Sequence, residues 1–168
     1  MIHVCSLSRL HETVETTGAR HIITLINRDT VVTRPSNVDP TNHLFLGLND
    51  IEQEMEGLVA PGQAHVHELF DFVRAWPRET PLVIHCYAGI SRSTAAAYSA
   101  LCALMPDADE MELAQRLRAA SPTATPNPCL IALADGVLGR DGRMVKAIRS
   151  IGRGADAYEG SPFSLALN

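Results

Sequence analysis

Aromatic side chains are scarce in this sequence: one tryptophan, three tyrosines and four phenylalanines make up 5% of 168 residues. The core must therefore be filled by aliphatic side chains, and 46% apolar residues over a length that suits one domain provide enough of them. Cysteine is equally sparse. Cys5, Cys86, Cys102 and Cys129 are widely separated and form no CxxC pair, which argues against a disulfide framework and a zinc site and fits reduced thiols in a cytoplasm. There is no basic excess either. A net charge of -5 argues against nucleic acid and anionic membrane surfaces as partners. The longest apolar run, Thr94 to Met105, spans 12 residues and includes Ser99, well short of the roughly 20 that cross a bilayer, so a buried helix is expected there. In the opening MIHVCSLSRLHE, polar and charged residues interrupt any export signal early, so a chain that is not exported is expected.

What is present alternates between strand and helix patterns. Ile2 to Cys5 reads as a short strand, Ser8 as the cap of a helix over Arg9 to Thr17, and Gly18 as its stop. His21 to Ile26 is a second strand, Asn27 to Asn42 a loop containing Pro35 and Pro40, and His43 to Leu48 a third strand ending at Asn49 and Asp50. Pro61 opens a helix to Trp76 with Val66, Leu69, Phe70 and Val73 on one face, and Pro81 leads into the strand Leu82 to His85. Helical patterns follow over Thr94 to Met105, Glu110 to Ala119, Pro128 to Leu138 and Arg143 to Ile151, with Asn127 able to cap the third of these. The expected fold is α/β, a mostly parallel sheet of about four to five strands flanked by helices, with the ligand site at the carboxyl ends of the strands. One domain is expected over residues 1–152, followed by an irregular C-terminal tail over 153–168.

The strand–loop–helix unit at 82–93 carries the chemistry. Residues 85 to 93 read His-Cys-Tyr-Ala-Gly-Ile-Ser-Arg-Ser. Successive amides of Tyr87, Ala88, Gly89, Ile90 and Ser91 in a tight turn at a helix N-terminus form a nest for an anion, aided by the helix dipole. Gly89 supplies dihedrals that other residues avoid. A thiol at a helix N-terminus beside a cation is readily converted to thiolate, and Cys86 is placed to be such a nucleophile. Arg92 offers a planar fork of donors matched to two phosphoryl oxygens. Chance assembly of this pattern around one of four cysteines is on the order of one in fifty thousand at ordinary residue frequencies. That sets Cys86 apart from the other three cysteines, which read as buried inert thiols.

These residues resemble the Cys-x5-Arg loop of the protein tyrosine phosphatase superfamily, and HCYAGISRS looks most like its dual-specificity branch, including the small bacterial-type enzymes. The resemblance is tight over residues 82 to 104 and looser from about 43 to 138. It implies a phosphate monoester hydrolase in which Cys86 forms a phosphocysteine intermediate, Arg92 binds phosphate, Ser93 helps the thiolate leave and His85 organises the loop. It implies no metal and no cofactor, and a phosphorylated protein or small phosphomonoester as partner. The family's general acid is an aspartic acid some thirty-odd residues upstream of the cysteine, and Asp50 matches in position. Glu52, Glu54 and Glu56 are substitutes for it, and a turn-forming role is the plain alternative for Asp50. Asn127 resembles the Pro-Asn turn of dual-specificity enzymes, although capping alone would account for it.

Other candidates carry less. His65 and His67 lie two apart on a helix and do not share a face, so they are not read as a metal pair. Arg28 and Arg34 are read as solvated loop charges that could reach a substrate. The rivals to a protein phosphatase are a phosphatase of a non-protein ester such as a phosphoinositide, a phosphate-binding pseudophosphatase, and a rhodanese-type sulfurtransferase. Within the first reading, phosphotyrosine is expected above phosphoserine and phosphothreonine, because Tyr87, Ala88, Ile90 and Ser91 include no cation for a multiply charged ligand.

Overall fold

Short β-branched and leucine-rich runs become strands, and the amphipathic stretches between them become the helices that cover the sheet. The computed structural model describes residues 1–168. Strand β1 (Ile2–Ser6) leads to α1 (Leu10–Thr17), β2 (His21–Ile26), a short 3-10 turn at Pro40–Asn42, β3 (His43–Gly47), α2 (Gln63–Ala75) and β4 (Leu82–Cys86). Helices α3 (Arg92–Leu104), α4 (Glu110–Ala120), α5 (Pro128–Leu138) and α6 (Arg143–Ile151) follow, and the chain closes with β5 (Phe163–Leu165). Gly18 ends α1 in the left-handed conformation at φ 69°, as expected of a helix stop.

The sheet order is β3-β2-β4-β1-β5. Neighbours among β1 to β4 run parallel, and β5 alone runs antiparallel, on the edge of β1. Because β4 inserts between β2 and β1, the strand order reverses there and a crevice opens at the carboxyl ends of the strands. All five residues of β4 are buried. The larger core lies on one face, where the sheet packs against α2 to α6. It is closed by Tyr98, fully buried with its hydroxyl donating to the Glu110 carbonyl at 3.0 Å. The other face is thinner, covered by Leu10 and Val14 of α1 and by Val38 of the long loop.

Two sequence expectations need correction. Ser8 does not cap α1: Arg9 occupies the N-cap position without a side-chain bond, and the Ser8 hydroxyl is engaged by Ser6 and Glu159 instead. The stretch 153–168 is not an irregular tail outside the domain. Residues 163–165 pair with β1 in the register Ile2 with Leu165 and Val4 with Phe163, and Leu165 is buried. A three-residue strand is too short to show a period, and its partner lies at the opposite end of the chain.

Candidate active site

Four strand ends converge on the site. Ser6 closes β1, Asn27 follows β2, Leu48 to Asp50 follow β3, and Cys86 closes β4. Beyond Cys86 the chain turns through Tyr87–Ser91 into α3, and the carbonyls of this loop are tied to the surrounding protein. Tyr87 O accepts from Leu7 N at 3.1 Å, Ala88 O from Gly160 N at 2.9 Å, Ile90 O from Thr125 N at 2.9 Å and Ser91 O from Asn127 N at 3.3 Å. With the carbonyls held outward, the amides turn inward, and those of Tyr87, Ala88, Ile90 and Ser91 donate to no protein group. The amide of Gly89 donates to Cys86 Sγ at 3.3 Å. These amides form an anion-binding nest built around a sulfur atom.

Gly89 is required twice over. Its φ is 73°, and a Cβ there would lie 2.8 Å from both Cys5 C and Ser6 N, backbone atoms of β1 that have no room to give. Ser93, in the first turn of α3, places its Oγ 3.1 Å from Cys86 Sγ. Arg92 is 6% exposed and is held by one end only: its Nη1 donates to Asn27 Oδ1 and to the Leu48 carbonyl, both at 2.9 Å. Its Nε is buried without a hydrogen-bond partner, 4.0 Å from Asp50 Oδ2. A buried guanidinium N–H left unmade is costly unless a ligand completes it, so the free edge marks the place of an anion.

Asp50 stands at the mouth with its side chain 38% exposed. Its Oδ1 accepts from Ser91 Oγ at 2.7 Å and from Asn127 Nδ2 at 2.8 Å, which leaves Oδ2 toward the loop and Arg92. Asn127 works at both ends: while Nδ2 reaches Asp50, its Oδ1 caps α5 by accepting from Leu130 N at 3.0 Å. Glu54 and Glu56 lie with Met55 and Leu58 around a separate cavity, and Glu52 lines the rim beside Asp50.

His85 is fully buried, with Nε2 2.7 Å from Thr24 Oγ1, and the same hydroxyl lies 2.8 Å from His43 Nε2. A hydroxyl has one proton, so at least one of the two imidazoles presents N–H to Thr24. Burial, with a smaller contribution from His43, holds His85 down to about 4 against the partial opposition of the Cys86 backbone. It is therefore a neutral ring next to Cys86 in the chain.

Several contributors were not found from sequence. Asn27 anchors Arg92, and the signal available was the one used for Asp50, a polar residue directly after an apolar strand. Thr24 and His43 fall in stretches that the sequence marks only as strands. Nothing in the sequence pointed to the strap 153–160, whose Gly160 amide holds the Ala88 carbonyl and whose Glu159 carboxylate accepts from the hydroxyls of Ser6 and Ser8. Those two hydroxyls hold Glu159 below the usual carboxylate range. Arg34 donates from Nε to Val38 O at 3.0 Å, and the Arg28 stem packs on Gly47; neither lines the cavities beside the loop. His65 accepts from the Gly62 amide at 3.1 Å at the start of α2. It is a helix-terminus residue.

The architecture recurs in solved structures. DUSP15 superposes with a TM-score of 0.66 over 89% of this chain and 89% of that one, at 16% identity. The chain has the fold of the dual-specificity phosphatases. Human DUSP28 matches with a TM-score of 0.63 over 83% of this chain and 92% of its own, at 18% identity. PTPMT1, solved in complex with PI(5)P, matches at 0.61 over 83% and 91%, at 15% identity. No protein-family model and no curated protein sequence matches the chain. The α/β sheet expected from the sequence is thus the sheet of the dual-specificity phosphatase fold, and no helix is long and apolar enough to cross a membrane.

Proposed function

We propose that the chain is a cysteine-dependent phosphate monoester hydrolase, acting as a protein tyrosine or dual-specificity phosphatase through a phosphocysteine intermediate. The observation that carries the reading is the pairing of a nest of inward amides around Cys86 Sγ with a buried Arg92 Nε that lacks a partner. Both features are oriented for a tetrahedral oxyanion and little else. In the first step Cys86 thiolate attacks phosphorus, the S–P bond forms as the P–O bond breaks, and Asp50 gives its proton to the departing oxygen. The inward amides and Arg92 hold the equatorial oxygens where charge spreads in the transition state. In the second step Asp50 carboxylate takes a proton from water, the water oxygen bonds to phosphorus, and the P–S bond breaks. Ser93 Oγ, 3.1 Å from the sulfur, donates to the departing thiolate.

The surroundings favour singly phosphorylated substrates. The cavities flanking the loop are lined by Asp50, Glu52, Asp156 and Glu159, against one cation, Arg153, which is itself paired with Asp156 at 2.8 Å. A phosphoinositide carrying further phosphates would meet net repulsion there, despite the PI(5)P complex of one structural neighbour. A pseudophosphatase would not need both Cys86 and a tethered Asp50. A rhodanese-type reading leaves Arg92 and Ser93 without a task.

The test is phosphate release from phosphotyrosine and phosphothreonine peptides, phosphoinositides and nucleotides by the wild type beside Cys86→Ser. Turnover of phosphotyrosine peptides, lost by roughly 10³-fold or more in a folded Cys86→Ser protein, is expected. A tenfold advantage for the lipids would overturn the substrate assignment, and full activity in Cys86→Ser would overturn the mechanism.

A further inference from the structure

Only three tyrosines occur in the chain; one, Tyr98, is fully buried, and the other two stand out in solvent at one place. Tyr87 is 68% exposed and Tyr158 is fully exposed, and both line a cavity of about 390 Å3 together with Leu7, Ser8, Ala88 and Glu159. That volume lies in the range of small-ligand sites. The walls are fixed to the phosphate loop itself. Leu7 N donates to the Tyr87 carbonyl, and Gly160 N, two residues beyond Tyr158, donates to the Ala88 carbonyl. Glu159, next to Tyr158, is moored on Ser6 and Ser8. Gly160 also packs so tightly that a Cβ would come within 3.0 Å of the Gly89 carbonyl, so the strap cannot drift from the loop without breaking these contacts. Two aromatic faces are thus presented to water on rigid backbone, although each would gain by being covered.

The position of the cavity selects its occupant. It shares Tyr87 and Ala88 with the loop, so its occupant would lie against the first two residues of the phosphate loop. Asp50, which must face the leaving oxygen, bonds Ser91 at the other end of the loop, where a separate polar cavity is lined by Asp50, Asn127 and strap residues Arg153 to Ala157. The apolar cavity therefore lies at the Tyr87 end of the loop, away from the end that Asp50 bonds. Glu159 makes it unwelcoming to a second anion. Resting on the phosphatase reading, we propose that the Tyr87–Tyr158 groove is a specificity subsite that receives the aromatic side chain of the residue adjacent to the phosphorylated one in a peptide substrate, with Tyr158 its principal specificity-determining residue.

The test compares phosphotyrosine peptides carrying Phe or Gly immediately before or immediately after the phosphotyrosine, with phenyl phosphate as an ester too small to reach the groove. In the wild type, kcat/KM for a Phe peptide should exceed that for its Gly counterpart by about fivefold, the size of one aromatic pair. Tyr158→Ala should erase the difference, Tyr158→Phe should keep it, and phenyl phosphate hydrolysis should stay within about twofold in all three proteins. Equal rates for Phe and Gly peptides in the wild type, or an equal loss on both in Tyr158→Ala, would overturn the subsite. If the wild type hydrolyses neither phenyl phosphate nor any peptide, the phosphatase reading fails instead. The same peptides titrated onto the protein then read the groove alone: about fivefold tighter binding with Phe, lost in Tyr158→Ala, upholds it, and equal Kd values overturn it.

Discussion

At the scale of single residues, Asp50 and His85 have different tasks in the proposed site. Asp50 is tethered through one oxygen by Ser91 and Asn127, so the other is free to serve the leaving group. Asp50→Asn keeps the shape and removes the transferable proton. Its effect should grow with the difficulty of expelling the leaving group, about 10²- to 10⁴-fold for an alkyl or peptide phosphotyrosine ester and far less for p-nitrophenyl phosphate. Equal slowing of both esters would move the role to Glu52. His85 makes a prediction of a different kind. The unfolded chain binds its proton near the ordinary 6.5 and the folded chain only near 4, so acidification favours unfolding. The stability supplied by the neutral ring is intact above pH 6.5 and falls by about 3 kcal/mol as pH drops to 4. Urea midpoints measured from pH 7 to 4 should decline more steeply for the wild type than for His85→Gln; parallel slopes would refute the assignment. His85, Cys86, Gly89, Arg92 and Ser93 were all readable in sequence, because one contiguous loop contains them and the backbone alone brings them together. Asn27, Thr24 and His43 were not, because each meets the loop from another strand and only the register of β2 against β4 aligns Thr24 with His85.

At the scale of elements, Asn127 shows how one residue at a helix terminus serves both folding and the site. The cap to Leu130 N belongs to α5, and the amide bond to Asp50 belongs to the site. The two can be separated. Asn127→Ser retains a capping oxygen and loses the donor to Asp50, so stability should change by a few tenths of a kcal/mol while kcat on peptide substrates falls. Asn127→Ala should lose both, with about 1 kcal/mol of stability. Equal kcat in wild type and Asn127→Ser would reduce Asn127 to a cap. The helices were legible as elements because their start and stop signals are local: Gly18 and Pro106 end helices and the Asn127-Pro128 pair begins one, each acting within a turn. The strap and β5 were illegible for the opposite reason. Residues 153–160 have no period of their own. They are held by single contacts such as Gly154 N to Thr125 Oγ1 at 3.1 Å, and by a close approach that leaves no space for a Cβ beside Thr123. Such a segment takes its shape from the surface it lies on.

At the scale of the whole molecule, charge is the property that composition and structure express together. The net charge of -5 establishes a weak repulsion toward any anion at a distance, and the mouth does not reverse it, because Asp50, Glu52, Asp156 and Glu159 line the cavities there and the one lining cation, Arg153, is already paired. In the proposed site the attraction for phosphate is confined to the inward amides and the Arg92 edge. A substrate must therefore approach through an unfavourable field before the nest can hold it. Flanking residues of the peptide decide how unfavourable that approach is. Basic flanks should be drawn to the rim and acidic flanks repelled, and both effects should fade as salt shortens the screening length from about 30 Å at 0.01 M to about 8 Å at 0.15 M. Raising sodium chloride over that range should lower kcat/KM for a phosphotyrosine peptide with lysines beside the phosphorylated residue and raise it for one with glutamates, while phenyl phosphate changes least. Opposite slopes for the two peptides are the signature of an acidic rim acting on association. If the slopes were reversed, falling for the glutamate peptide and rising for the lysine peptide, the field at the mouth would be positive, and cations outside the two cavities, Arg28 first among them, would have to be reaching the substrate.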